Sequence, residues 1–300
     1  MKRMWCVIIG LDGLEYTLVE KFDLKHIKQV EYGKVDLSGF DLLATPMIWA
    51  SFICGLPPEK HGITIGTWVK WKNPFLELAK NISVKLGLWR IPAKRKLFEW
   101  LGFEREIKYP TKEYFESRRI KTIFDLVDNS VAISVPSYQP FIDEETVTLL
   151  REAIKDSNKE EIFLRKVWGD FQKKKELCLR EVKQKAWELF MVHFHISDHI
   201  GHLFRGDLTT MFETYITLDK LIQEIKQSIE ENVFLLIISD HGMKPFSRKF
   251  INDSVPRASA LAGRYGEHSE YGFYSCNRKL GLENPKITDF YPLIRRVLVC

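Results

Sequence analysis

The sequence predicts an α/β fold in which a mixed, mostly parallel sheet is sandwiched between helices. Residues 5–11, 189–195 and 233–239 are almost continuously apolar, which is typical of strands buried on both faces. Residues 211–230, which join the second of these strands to the third, have the apolar period of an amphipathic helix. Buried strands connected through helices indicate a parallel core. We expect residues 1–300 to form a single domain.

The composition of the 300-residue chain is that of a globular protein, with 45% apolar and 28% charged residues and a net charge of +5. No apolar run approaches the roughly 20 residues that cross a bilayer. The first residues lead into a strand without the apolar segment and cleavage site of a signal peptide. The five cysteines are scattered without CxxC spacing, which favours a reducing compartment over a disulfide scaffold. We therefore expect a cytoplasmic protein without a transmembrane segment.

The first predicted strand, residues 5–11, ends at Asp12 and Gly13. An Asp-Gly pair is often only a turn. Because this pair follows a buried strand, where open α/β sheets place their chemistry, we interpret Asp12 as a site residue.

A helix is predicted to begin at Thr45 and Pro46, since Thr is a good N-cap and Pro is favoured in the first turn. Residues 47–52 form its body, and the Gly-Leu-Pro-Pro sequence at 55–58 ends it. The Thr45 hydroxyl is either a plain N-cap or a nucleophile, placed where backbone N–H groups and the helix dipole favour an anion.

Residues 66–110 differ from the rest of the chain, because tryptophans and phenylalanines alternate there with lysines and arginines. We expect an insertion above the sheet, with three interpretations. It is a solvated basic face, a lid or cap that attracts an anionic substrate, or an amphipathic surface that contacts lipid headgroups as a peripheral membrane site. No nucleic-acid-binding module is recognisable.

The middle of the chain is predicted to be mainly helical. Residues 113–129 predict a helix, residues 131–135 a short strand, and residues 143–186 a charged helical region. After the strand at 189–195, Asp198 and His202 are four residues apart, so one helical turn would place both on the same face. Three further histidines compete as ligands, namely His193, His195 and His199. We interpret His193 and His195 as packed or hydrogen-bonded strand residues.

The strand at 233–239 stops at Asp240, His241 and Gly242, which offer a carboxylate and an imidazole at the end of a buried strand. The chain is expected to be loop-like after Gly242. His268 then precedes a late strand at 271–276, and residues 287–298 predict a closing helix.

Polar side chains therefore gather at or just beyond the carboxyl ends of predicted strands: Asp12, Thr45, Asp198, His202, Asp240, His241 and His268. Three carboxylates, three imidazoles and a hydroxyl suit two divalent cations. Zinc is the simplest choice, with manganese or iron as alternatives.

These motifs resemble the alkaline phosphatase superfamily, in its type I phosphodiesterase/nucleotide pyrophosphatase branch. The matching stretches are residues 7–13, 45–63, 187–202, 237–243 and 266–268. The resemblance implies an alkaline-phosphatase-like fold and hydrolysis of a small phosphorylated substrate at a phosphodiester or pyrophosphate bond.

The resemblance also implies roles for the seven residues. One metal would be held by Asp198, His202 and His268. The second would be held by Asp12, Asp240 and His241, with Thr45 bound to it as the nucleophile. The first step would leave a covalent phosphothreonine, which water would then attack.

One position departs from the pattern of the nucleotide-cleaving relatives, which usually carry an Asn a few residues after the His-Gly-Ile motif. This chain has Gly66 there, so a donor to the phosphoryl oxygen is lost. The alternatives are a phosphomonoesterase, a phosphonate hydrolase or a phosphoryl transferase on the same site. A non-catalytic module that binds anions or membranes is a further alternative. Substrate-binding residues and oligomeric state stay open.

Overall fold

The computed structural model describes residues 4–73, 75–76, 105–141, 143–246 and 264–299. Its centre is a six-stranded sheet with the strand order β2-β10-β7-β1-β6-β5. These strands are β1 (Cys6–Leu11), β2 (Glu31–Asp36), β5 (Ser130–Ile133), β6 (Leu189–Phe194), β7 (Phe234–Ser239) and β10 (Tyr271–Cys276). β1 pairs in parallel with β6 and β7, and β5 pairs in parallel with β6, whereas β10 is antiparallel to β7 and β2. The predicted mixed, mostly parallel sheet is confirmed.

Every residue of the central strands β1, β6 and β7 is buried, as their continuous apolar sequences predicted. Alternate residues of each strand contribute to different faces. Val7 and Ile9 belong to one hydrophobic cluster, and Cys6 and Ile8 belong to another. The sheet therefore separates two cores, each of which is covered by helices.

Five helices cover the first face, among them the two longest of the described chain. They are α1 (Tyr16–Lys21), α6 (Glu144–Lys155), α7 (Glu160–Gln184), α8 (Ile196–Phe204) and α9 (Leu208–Ser228). The stripe predicted for α9 is core, because Leu218, Leu221, Ile222 and Ile225 are all buried.

The second face is covered mainly by α2 (Thr45–Cys54) and α10 (Phe290–Val299), with α5 (Lys112–Ser117) beside them. Gly55 ends α2 in the left-handed conformation, as the Gly-Leu-Pro-Pro sequence predicted. Two short helices follow, α3 (Pro58–His61) and α4 (Ile65–Trp68).

The helix predicted over residues 113–129 is wrong in its length. Helix α5 ends at Ser117, and Arg119 has a φ of 56° that an α-helix does not accept. Thr122 and Asp125 then form a capping box for a 3₁₀ turn at Ile123–Asp125. Phe115, Ile123 and Phe124 still bury their side chains in the same core, so the apolar pattern was read correctly although the backbone was not.

The loop expected after Gly242 is also wrong, because β8 (Gly242–Pro245) pairs antiparallel with β9 (Gly266–Ser269). This ribbon could not be seen in the sequence, since each strand is short and its partner is distant along the chain. Its consequence is that His268 stands opposite Met243 instead of in an open loop.

The insertion predicted at residues 66–110 lies largely outside the described residues. Its described ends form a second ribbon, in which β3 (Val69–Trp71) pairs antiparallel with β4 (Arg105–Ile107). The lid and membrane-contact hypotheses fall on the part that is not described and stay predictions. In the described part of the chain, no helix is long and apolar enough to cross a membrane.

Candidate metal centre at the carboxyl edge of the sheet

The carboxyl ends of two neighbouring strands, β1 and β7, place the first site residues. Asp12 follows β1, and its backbone N–H donates to the Phe194 carbonyl at the end of β6 with an N···O distance of 2.9 Å. Its own carbonyl accepts from the Ser197 hydroxyl at 2.6 Å. Asp240 and His241 directly follow β7. Hydrogen bonds of the Asp12 backbone therefore fix the point from which its side chain starts.

The turn after Asp12 depends on Gly13, whose φ is +68°. A Cβ at this position would lie 2.9 Å from the Asp198 Cα. The close approach lets α8 carry Asp198 to the end of β1, so two carboxylates from distant parts of the chain reach one place.

Asp198, His202 and His268 form the first group of candidate ligands. One turn of α8 brings the Asp198 Oδ1 to 3.2 Å from the His202 Nε2. His268, on β9, places its Nε2 at 3.5 Å from the same oxygen and at 3.3 Å from the His202 Nε2. Three side chains thus present one ligand atom each to a common point.

Asp12, Asp240 and His241 lie beside this group. The His241 Nε2 is 3.3 Å from the Asp12 Oδ1 and 3.5 Å from the Asp240 Oδ2. It is also 3.9 Å from the Asp198 Oδ1, and the His241 ring stacks on His268 with centroids 3.6 Å apart. The two groups are therefore contiguous.

The tautomers of His202, His241 and His268 follow from the backbone groups that their Nδ1 atoms contact. In each ring the Nδ1 faces a backbone carbonyl: Gly266 for His202 (3.3 Å), Gly242 for His241 (3.0 Å) and Leu43 for His268 (2.9 Å). A carbonyl only accepts hydrogen bonds, so each Nδ1 carries the proton and donates it. Each Nε2 then points a lone pair into the site, which is how backbone carbonyls orient metal-ligating imidazoles.

The atoms that face one another in the site lack hydrogen-bond partners among the described residues. They are the Asp12 Oδ1, the Asp198 Oδ1, both carboxylate oxygens of Asp240 and the His241 Nε2, all buried. Leaving a buried charged group unpaired is costly, and several acceptors facing one another add repulsion. Divalent cations would satisfy all of them, so the donor set fits the cations that the sequence predicted.

The pKa values of the Asp12 and Asp198 carboxyl groups reflect the same crowding. Burial, and then the charges of Asp240 and Asp198, raise the pKa of Asp12 well above its ordinary value. Burial acts in the same direction on Asp198, but the neighbouring His202 and His268 hold its pKa well below the ordinary value. Without a bound cation, the site holds more negative charge than it can stabilise.

Thr45 is the first residue of α2, and its side chain is half-buried. The predicted N-cap role is wrong, because Ala44 occupies the N-cap position and no side chain caps the helix. The hydroxyl is thus not used in capping. Leu43, two residues earlier, accepts the hydrogen bond from His268, so the start of α2 is anchored to the site.

His193 and His195 lie on the other side of Asp12. Their packing is as predicted, since the Trp49 ring meets His193 edge-on at 4.6 Å and Phe141 stacks on His195 at 5.5 Å. The alternative, hydrogen bonding, does not hold for the His193 ring nitrogens or the His195 Nε2, which have no partner among the described residues. Their His-x-His spacing was the signal that both rings face one way. The strand prediction holds only for His193, because β6 ends at Phe194 and His195 is the N-cap of α8.

The Asp12 Oδ2 lies 3.8 Å from the His193 Nε2 and 3.9 Å from the His195 Nε2. Lys174 is close by and donates to the His193 carbonyl at 3.0 Å. Burial lowers the pKa of Lys174 to about 8. A cavity of about 430 Å³ opens beside these residues and is lined in part by His195, His199 and Lys174.

In the comparison with family models, one family matches most of the chain. The family described as type I phosphodiesterase / nucleotide pyrophosphatase matches residues 6–268. The match includes all seven predicted site residues and every strand of the central sheet except β10.

Curated relatives match shorter stretches. GPI ethanolamine phosphate transferase 3 of Saccharomyces cerevisiae is 38% identical over 61 residues, which is 20% of this chain and 6% of that protein. GPI ethanolamine phosphate transferase 2 of Kluyveromyces lactis is 26% identical over 93 residues, or 31% of this chain and 12% of that protein. The matched stretches thus span a small part of these relatives' length.

Solved structures share the fold over nearly the whole chain. Murine ectonucleotide pyrophosphatase / phosphodiesterase 5 has a TM-score of 0.54 at 13% identity, covering 98% of this chain and 95% of that one. An inactive threonine-to-alanine form of the same protein, in complex with AMP, has a TM-score of 0.54 at 14% identity with the same coverage. At such identities the likeness shows the fold, and the predicted alkaline-phosphatase-like architecture is confirmed.

Proposed function

The chain belongs to the type I phosphodiesterase/nucleotide pyrophosphatase family, and we propose that it hydrolyses phosphodiester or pyrophosphate bonds through a covalent phosphothreonine on Thr45. The observation that carries the proposal is the set of buried, inward-facing ligand atoms without hydrogen-bond partners in the described chain. Such a set has no structural purpose of its own, because it destabilises the fold unless cations occupy it.

Two divalent cations would be held by this set. Asp198, His202 and His268 would hold one, and Asp12, Asp240 and His241 the other. Imidazole and carboxylate ligands suit zinc, with manganese or iron as alternatives. When bound, the two cations would supply Lewis-acid stabilisation of the charge that develops on the phosphoryl oxygens.

The chain's own residues would then perform the displacement. Thr45 begins a ten-residue helix, so a phosphoryl group on its hydroxyl lies at the positive end of the helix dipole. In the first step the Thr45 oxygen loses its proton and forms a bond to phosphorus, while the bond from phosphorus to the leaving oxygen breaks and the leaving oxygen takes up a proton. In the second step the oxygen of water bonds to phosphorus, the bond to the Thr45 oxygen breaks, and Thr45 regains its proton.

The named activity of the curated relatives supports a second candidate. Those proteins are ethanolamine phosphate transferases, in which a phosphorylated group is moved to an acceptor. The same two steps become a transfer when an alcohol replaces water in the second. Thr45 and the six candidate ligands would keep their roles, so the two candidates differ only in the acceptor.

The direct test compares Thr45→Ala with the wild-type protein on a nitrophenyl phosphodiester, after metal analysis of both. The variant should keep its metal content and lose nearly all turnover, whereas Thr45→Ser should retain part of it. If a clean Thr45→Ala preparation turned over the substrate at the wild-type rate, the assignment of Thr45 as the nucleophile would be wrong. Diester, monoester and phosphonate substrates would then define the bond that is cleaved, and the same assays with and without an added alcohol acceptor, such as a simple sugar, would separate hydrolysis from transfer.

A further inference from the structure

The carboxylate of Asp12 faces histidines on two sides. Its Oδ1 lies 3.3 Å from the His241 Nε2, within the centre described above. Its Oδ2 lies 3.8 Å and 3.9 Å from the Nε2 atoms of His193 and His195. The proposed hydrolysis assigns no role to this second pair of imidazoles.

Both imidazoles are buried in a way that points to a ligand. His193 is fully buried, and neither of its ring nitrogens has a hydrogen-bond partner among the described residues. The same is true of the His195 Nε2. A buried imidazole normally satisfies at least one nitrogen, since leaving a buried hydrogen-bonding group unpaired is costly. The Nε2 atoms of the two neighbouring rings both face Asp12 without a hydrogen-bond partner in the described chain, which calls for a common partner.

Packing prevents the rings from turning toward other partners. The edge-on contact with Trp49 fixes His193, and a Cβ on Gly10 would lie 2.7 Å from the His193 Cδ2, so the ring also rests against β1. Phe141 and His199 stack on the faces of His195 with centroids 5.5 Å and 5.6 Å away. The orientation toward Asp12 is therefore set by the fold.

We propose that Asp12, His193 and His195 form a third divalent-cation site, on the side of Asp12 opposite His241. Their ligand atoms lie within 4.8 Å of one another, which is the spacing of atoms that surround one ion. Two imidazoles and a carboxylate select zinc-like cations over magnesium or calcium. Because Asp12 is shared, the site rests in part on the proposed two-cation centre, in which the same carboxylate would be a ligand.

The surroundings of the third site contain both an access route for an ion and a positively charged side chain. His195 lines the cavity of about 430 Å³, so an ion reaches the site without passing through the first centre. Lys174, which donates to the His193 carbonyl, lies in the same cavity wall. Its ammonium group repels the third ion, so its removal should tighten the binding of that ion.

Metal stoichiometry tests the site. Metal-free protein is dialysed against Zn²⁺, or against Co²⁺ as a spectroscopic probe, and bound metal is counted for the wild-type, His193→Gln, His195→Gln and Lys174→Met proteins. We expect three ions per chain in the wild type and in Lys174→Met, with tighter binding of the third ion in the latter. Each histidine variant should hold two. Circular dichroism checks folding, and His195→Gln is decisive where the more buried His193→Gln does not fold.

A second readout uses the wild-type protein alone. With ¹⁵N-labelled histidine, the imidazole nitrogen signals of His193 and His195 should shift when the third equivalent is added, after those of the first centre have moved. Two ions in the wild type with unmoved signals, or three ions in a folded His195→Gln protein, would overturn the third site. Fewer than two ions in the wild type would instead count against the two-cation centre, so the two failures are distinguishable.

Discussion

Glu15 accepts a hydrogen bond from the Ser269 hydroxyl at 2.8 Å, across 254 residues of sequence. Glu15 follows the turn that carries Asp12, and Ser269 follows His268 on β9. The Tyr271 hydroxyl donates to the same carboxylate, which is buried. One carboxylate thus ties together the two segments that carry opposite sides of the candidate centre.

Replacing Glu15 with Gln should loosen this connection. The variant keeps the shape of the side chain but exchanges hydrogen bonds to a charged acceptor for weaker neutral ones. We expect a loss of about 1–2 kcal/mol in the free energy of unfolding and a weaker affinity for the cation at His268. Urea unfolding and chelator competition measure the two effects.

The matched control is Glu270→Gln, next to Ser269 in sequence. The Glu270 side chain is 86% exposed and pairs with Lys244 at 3.3 Å on the surface, so its loss should cost less than about 0.5 kcal/mol. Equal behaviour of the two variants would show that the Glu15 connection does not hold the centre together.

Gly13→Ala should disturb the approach of α8 to β1. The backbone at Gly13 has a φ of +68°, and the new Cβ would lie 2.9 Å from the Asp198 Cα. Strain and the displaced helix should together cost about 1–3 kcal/mol in the free energy of unfolding and weaken cation binding. Gly39→Ala is the control, because a Cβ there meets nothing within 4 Å. A Gly13→Ala protein as stable and as metal-rich as Gly39→Ala would refute the prediction.

Asp240→Asn should move stability and metal binding in opposite directions. Asp240 is fully buried, neither of its oxygens has a partner in the described chain, and its charge raises the pKa of Asp12. Removing that charge should stabilise the metal-free protein, by on the order of 1–2 kcal/mol, and should remove one ligand of the second cation. Thermal unfolding with and without Zn²⁺ measures both changes.

The exposed Asp128→Asn is the control for this exchange of stability against binding. It should leave the metal-free stability and the stabilisation by Zn²⁺ unchanged. A metal-free Asp240→Asn protein that is less stable than the wild type would mean that Asp240 has a structural partner and is not held in place for a cation.

The sequence was informative where a run of apolar residues, or the regular spacing of residues on a helix, determines the structure. Strands β1, β6 and β7 are almost continuously apolar, so their existence and the polar residues at their ends followed directly. Asp198 and His202 could be paired because a helix fixes their spacing.

The rest depended on contacts between distant segments. The partnership of β8 with β9 arises from strands more than 20 residues apart, and the Arg119 backbone that ends the helical region has no sequence signal. The His-x-His pair at 193 and 195 predicted a shared face. That this face meets the far oxygen of Asp12 depends on the pairing of β1 with β6, which the sequence does not specify.

His61 should make the stability of the fold depend on pH. It is fully buried after α2, with its Nδ1 accepting from the Ile63 N–H at 3.0 Å and its Nε2 at 2.9 Å from the Ser51 hydroxyl. The accepting Nδ1 carries no proton, so the Nε2 donates to Ser51 and the ring is neutral. Burial lowers the pKa of His61 from 6.5 to about 4.

The sign follows from this depression. Below pH 6.5 the unfolded chain binds a proton that the folded protein refuses until about pH 4, so stability is lost as the pH falls through this window. By pH 4.5 the loss from His61 alone should be about 2–3 kcal/mol. Urea unfolding of metal-free protein at pH 7 and pH 4.5 measures it. His61→Gln should be less stable at pH 7 but should lose less on acidification, because the other buried histidines act equally in both proteins. An equal loss in both would mean that His61 is protonated in the folded state without penalty.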